Sequence, residues 1–133
     1  MTDQQARALL SRVFHALFDP AATAEEVGTR FSLDYRQIAD GREIDRAGFI
    51  DHVRLLKDVV QSGSVTLETV IASGPTIASL HVVNVRKKTG EAVQMKVHAF
   101  FEIEHGLIRR TEELTHMMVG GQTDRDLGSR TSG

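Results

Sequence analysis

The chain has 133 residues, enough for one domain with a core and too few for two ordinary ones. Apolar residues make up 41% and charged residues 26%, with a formal net charge of −2, an ordinary globular composition without the basic field that a nucleic-acid backbone requires. There is no cysteine, which excludes disulfides and thiolate metal sites, and no apolar run long enough for a membrane span. Neither nucleic acid nor membrane is an expected partner, and the cytoplasm is the default location.

Residues 3–18 carry Ala6, Leu9, Leu10, Val13, Phe14, Leu17 and Phe18 at helical spacing, with Thr2 or Asp3 as cap and Asp19-Pro20 as stop. This predicts a helix with one buried face. Thr23 followed by Glu26 resembles a capping box, and Gly28 closes a short second helix. "FSLDYRQIADGREI" reads as a hairpin turning at Asp40-Gly41. From Asp45 to Val60, Phe49, Ile50, Val53, Leu56, Val59 and Val60 again have helical period, and Gly63 stops this third helix.

After Gly63 the pattern becomes that of strands. "VTLETVIASG" alternates Val65, Leu67, Thr69 and Ile71, "TIASLHVVNVRKK" turns at Thr89-Gly90, and "EAVQMKVHAFFEIE" turns at His105-Gly106 into "GLIRRTEELTH". Four strands joined by short turns form an antiparallel meander whose covered face meets the helices, an α+β arrangement. Residues 1–118 form the single domain, and residues 119–133 read as a polar tail, extended or disordered.

A two-residue turn at Thr89-Gly90 pairs Asn84 with Met95, Val82 with Val97 and Leu80 with Ala99 on the covered face, which Phe101 and Ile103 continue. His81 then lies across from His98 on the outer face. In the last strand, strict alternation after Ile108 would bury Arg110, which is costly unless paired. A β-bulge at Arg109-Arg110 flips the later residues, so that Thr111, Glu113, Thr115 and Met117 face in and Glu112 faces out. Without the bulge, Glu112 and Glu113 exchange places.

The element order, with "EHGLI" at the last turn, resembles the nuclear transport factor 2-like superfamily, which includes SnoaL-like cyclases, limonene epoxide hydrolases and ketosteroid isomerases. The resemblance covers roughly residues 4–118. It implies a cone-shaped, curved antiparallel sheet packed against the N-terminal helix, the short second helix and the third helix, a cystatin-like fold.

Tyr35 and Gln37 in "DYRQ" share strand parity and can face one cavity with Glu113. In the resembled epoxide hydrolases a tyrosine and an asparagine two residues apart and a carboxylate on the last strand hold a water; Tyr35, Gln37 and Glu113 match these in kind. A buried carboxylate gains proton affinity and can act as a general base, while a phenol and an amide position an oxygen. The epoxide hydrolases also use an arginine–aspartate pair, where the register places Val82 and Asn84. The isomerases use an acid near Ala99. The reading is a small-molecule-binding domain with an apolar pocket, lined by Phe14, His52, Val82, Asn84, Ala99, Phe101, Thr111 and Thr115, that takes a hydrophobic ligand. Two alternatives stand beside it: an isomerase, cyclase or hydrolase with Glu113 as base, and a non-catalytic dimerisation or adaptor module.

His81, His98 and Glu112 would form a row on the outer face, a set that can hold a divalent metal. With Phe100, Leu114 and His116 beside it, association is the preferred reading, as a homodimer through His81, His98, Phe100, Leu114 and His116. No metal and no cofactor is expected.

Overall fold

A computed structural model of the chain describes residues 1–120. Apart from its first residues, the expected polar tail lies outside them. The elements are α1 (Asp3–Phe18), α2 (Ala24–Gly28), β1 (Phe31–Ala39), β2 (Arg42–Asp45), α3 (Arg46–Val59), β3 (Val60–Ser73), β4 (Thr76–Lys87), β5 (Ala92–Glu104) and β6 (Leu107–Val119). The six strands make one curved sheet in the order β2-β1-β6-β5-β4-β3. Its meander is antiparallel, while β1 pairs with β6 in parallel, so the sheet is mixed.

Local chemistry accounts for the helix ends. Thr2 accepts from the Gln5 amide while the Gln5 side chain accepts from the Thr2 amide, a reciprocal capping box. Thr23 caps α2 and Asp45 caps α3 through the Glu26 and Gly48 amides. At the other end of α1, the Lys57 ammonium donates to the carbonyls of Leu17 and Asp19, meeting the negative end of the helix. Two contacts strap α1 along β3. Arg7 donates to the Leu67 carbonyl, and Asp3 accepts from the Ala72 amide.

The β3 strand begins earlier than its sequence suggests. Gly63 does not stop α3, which ends at Val59; it lies inside the strand, paired with Val85. A Cβ there would stand 2.5 Å from the Phe18 ring, so glycine is what lets α1's last aromatic residue lie on the strand. Bulges at Gln61 and Glu68 interrupt the pairing. The second bulge reverses the expected alternation: Val70 and Ala72 face in, and Ile71 faces out.

The turn after β4 corrects a second expectation. Lys88, Thr89 and Gly90 form a three-residue loop: the Lys87 amide donates to the Glu91 carbonyl, the Gly90 amide donates to the Lys87 carbonyl, and Gly90 has φ +95°. Relative to a two-residue turn this shifts β4 by one residue, and a one-residue shift turns every side chain over. Ile77, Ser79, His81, Val83 and Val85 therefore face the core, opposite Phe101, Ala99, Val97, Met95 and Val93. Val82, Asn84 and Leu80 face out. Asn84 accepts a hydrogen bond from Gln94 there, and His81 leaves the expected outer row.

The core lies between the sheet's inner face and the helices. Leu10, Val27, Val53, Ile77 and Ile108 are fully covered, and Phe31, Tyr35 and Phe49 pack with ring centres 4.4–5.1 Å apart. No helix among the described residues is long and apolar enough to cross a membrane.

Candidate functional site

Two facing irregularities shape the site. On β6 the pairing with β5 skips Arg109, so Ile103 lies opposite Ile108 but Glu102 lies opposite Arg110. This is the bulge expected from the cost of burying Arg110, whose guanidinium instead meets Glu112 and Glu102 on the outer face. On β1, Ser32, Leu33 and Asp34 bow out between Phe31 and Tyr35, and Asp34 meets Arg109 at 3.4 Å. The consequence is that Tyr35, Gln37, Thr111, Glu113 and Thr115 share the inner face.

Their contacts follow from the register. Gln37 lies beside Thr111, and Ala39 beside Glu113. The Tyr35 hydroxyl is 2.8 Å from the Thr111 hydroxyl and donates to Gln37 Oε1 at 3.1 Å. A phenol has one proton, so Tyr35 accepts from Thr111 while it donates to Gln37. Burial, and then the neighbouring Glu113 charge, push the Tyr35 hydroxyl far above its ordinary range, so it stays protonated.

Glu113 stands between Ala39 on β1 and Ala99 on β5, two small residues that leave room beside its carboxyl. Burial raises its pKa from 4.5 to about 7, and the Asp40 carboxylate adds to the rise. Asp40 is fixed by its backbone: it occupies the left-handed region at φ 53° in the Asp40-Gly41 turn, accepts from the Thr115 amide, and donates its own amide to the Glu113 carbonyl. Glu113 is itself half-buried, at the edge of the covered face.

Tyr35, Gln37, Thr111, Glu113 and Thr115 border a cavity of about 100 Å³ whose other walls are mostly apolar, formed by side chains such as Leu10, Val13, Phe31, Phe49, Met95 and Phe101. Of the residues expected to line a pocket, Phe14, His52, Phe101, Thr111 and Thr115 do so, with Tyr35, Gln37 and Glu113. Ala99 is buried on the same face, between Ser79 and Glu113. Val82 and Asn84 do not line it, because the three-residue loop turns them to the outer face. The same shift brings in His81, which the expected register had placed outside. The signal that could have found it is "KTG", a loop with glycine at its third position, where a positive φ is needed.

His81 is buried against Phe14, ring centres 4.9 Å apart, and its Nδ1 is 2.8 Å from the Ser79 hydroxyl. Burial, with a smaller effect from His98, lowers its pKa from 6.5 to about 4, so the ring is neutral at pH 7. With His81 inside, the row of His81, His98 and Glu112 does not exist, and no metal-holding group of three His, Asp or Glu occurs among the described residues.

Comparison with known proteins agrees with this architecture. The SnoaL-like domain family profile matches residues 7–111. An uncharacterised protein of Schizosaccharomyces pombe is 30% identical over 126 residues, covering 95% of this chain and 97% of that one. Among solved structures, an LEH-like epoxide hydrolase from M. tuberculosis superposes with a TM-score of 0.71 at 18% identity, covering 86% of this chain and 84% of that one. A protein with a ketosteroid isomerase-like fold from Catenulispora acidiphila gives 0.69 at 11%, covering 91% of both chains. At those identities the structural likeness speaks for the fold, while the profile and the yeast relative speak for descent. The chain belongs to the SnoaL-like domain family and has the nuclear transport factor 2-like fold.

Proposed function

We propose that the cavity binds a small, mostly apolar molecule whose oxygen-bearing end lies against Glu113, Thr111 and Tyr35. The observation that carries this is a carboxyl on the wall of a mostly apolar cavity, its pKa raised by desolvation. Burying such a group is costly, and a ligand oxygen is a partner that would offset the cost.

A pKa near 7 leaves Glu113 in both protonation states at neutral pH, which supports proton transfer as the reaction class. Beside a carbonyl, the carboxylate would take a proton from the neighbouring carbon. The C–H electron pair would move into the carbonyl, and the enolate oxygen would lie near Tyr35 and Gln37. Returning the proton to another carbon gives an isomerisation; attack by the enolate carbon on a second carbonyl gives a ring closure. Epoxide opening is less well supported, since the inward residues of β4 are His81 and Val83 and not an arginine–aspartate pair.

Cyclohexanone in D2O tests both levels. It is expected to shift the amide resonances of Thr111 and Thr115, and to exchange its α-hydrogens at least 10²-fold faster with the wild type than with Glu113→Gln. Equal exchange rates would remove the base and leave the binding reading; a ketone that perturbs no cavity residue would remove both.

The outer face supports self-association as well. Phe100 and Leu114, 61% and 67% exposed, lie on adjacent strands with His98 and His116 beside them. A second copy is the partner we propose for this face. Sedimentation is expected to show a dimer that Phe100→Glu disrupts, and a wild-type monomer at tens of micromolar would end the proposal.

A further inference from the structure

Resting on the ligand-binding reading above, we infer that the cavity recognises its ligand at two stations on the sheet's inner face, with His81 on β4 holding a second hydrogen-bonding group of a molecule whose first lies at Glu113 on β6. Three features of the ring support this. It is 2% exposed yet borders the cavity. Its Nδ1 is engaged by Ser79, which leaves Nε2 as the ring's other polar atom. A neutral imidazole that uses one nitrogen still has the other to offer.

The sheet sets the spacing. His81 pairs with Val97, which pairs with Thr115, the next inward residue after Glu113. The two polar stations are therefore two strand spacings apart, about 10 Å between backbones, with Val97 of β5 on the cavity surface between them. A hydroxyl both donates and accepts, so Ser79 can support either tautomer of His81, and Nε2 can serve a carbonyl or a hydroxyl.

The ligand class follows from these features. It is a compact molecule with an apolar ring or short chain and one oxygen group at each end, a hydroxyketone or a diketone rather than a hydrocarbon or a simple ketone. A cavity of about 100 Å³ excludes bulky polycyclic molecules while its walls stand as they are. His81 is a specificity-determining residue in this scheme, and Glu113 remains the proton-handling one.

The test compares cyclohexanone with 4-hydroxycyclohexanone, which differ by the second oxygen group. The wild type is expected to bind the hydroxyketone about fivefold more tightly, the effect of one net hydrogen bond. In His81→Phe that preference should vanish or reverse. Because a cavity variant can misfold, the wild type is also followed through its imidazole ¹⁵N resonances: the His81 Nε2 signal should move with 4-hydroxycyclohexanone and stay in place with cyclohexanone. A preference that survives in His81→Phe, or a His81 signal indifferent to both probes, overturns the two-station inference alone. If neither probe perturbs any cavity residue, the binding reading falls and this inference falls with it.

Discussion

Glu113→Gln is expected to grow more resistant to urea by roughly 2–3 kcal/mol as pH rises from about 4 to 6.5, a span in which the wild type changes little through these two groups. The cause is a pair of desolvated groups with opposite linkage. Folding raises the Glu113 pKa from 4.5 to about 7, so its protonated form is favoured; the stability linked to it is fully present below 4.5 and is lost as pH rises through 7. Folding lowers the His81 pKa from 6.5 to about 4, so its neutral form is favoured; the stability linked to it is fully present above 6.5 and is lost as pH falls through 4. Between about 4.5 and 6.5 the two slopes nearly cancel.

Removing either group exposes the other. Glu113→Gln keeps only the rising limb and should exceed the wild type at pH 8, where the wild type carries an ionised buried carboxylate. His81→Phe keeps only the falling limb. Urea midpoints from pH 4 to 8 for the three proteins decide the matter, since surface groups contribute equally to all of them. A Glu113→Gln curve parallel to the wild type would mean that this carboxyl titrates like a solvated one, and the proton-transfer reading would go with it.

Leu10→Ala should cost about 2–5 kcal/mol of stability and also enlarge the cavity. Leu10 is fully covered on the buried face of α1 and forms part of the cavity wall, so its loss removes packing where the sheet already leaves space. If the cavity is a binding site, an apolar ligand should return part of the loss by binding only the folded state. Thermal denaturation of Leu10→Ala with and without saturating benzene measures this. Recovery of several degrees is expected. A loss below 1 kcal/mol would mean that α1 settles into the space, and no recovery would show that the space admits no ligand.

The helices were legible in the sequence because their signals are local. Thr23 with Glu26 acts across three residues, as does Thr2 with Gln5, which the structure chose over Asp3, while the Asp45 cap on Gly48 was not singled out. The hairpins at Asp40-Gly41 and His105-Gly106 were legible for a similar reason: in both, two consecutive residues take positive φ, which Asp-Gly and His-Gly tolerate. Even the β6 bulge could be argued in advance, because Arg110 has no low-cost place inside. That argument placed Glu113 on the inner face, where the structure also has it.

The register of β4 could not be read the same way. Its two faces, Ile77-Ser79-His81-Val83-Val85 and Ala78-Leu80-Val82-Asn84, are nearly matched in apolar content, so burial alone does not choose between them. One extra residue in the Lys88-Thr89-Gly90 loop chose, and it exchanged Asn84 for His81 at the cavity. The parallel pairing of β1 with β6 likewise has no local signal, because it joins segments about 75 residues apart through backbone bonds that any residues could make. By itself the sequence determined the Thr23 cap, the turns at Asp40-Gly41 and His105-Gly106 and the side of the sheet that could not hold an arginine, since each is settled by neighbours along the chain. Only the tertiary structure decided that His81 reaches the cavity and how Tyr35 meets Thr111, since those depend on the register of strands that meet only when the sheet closes.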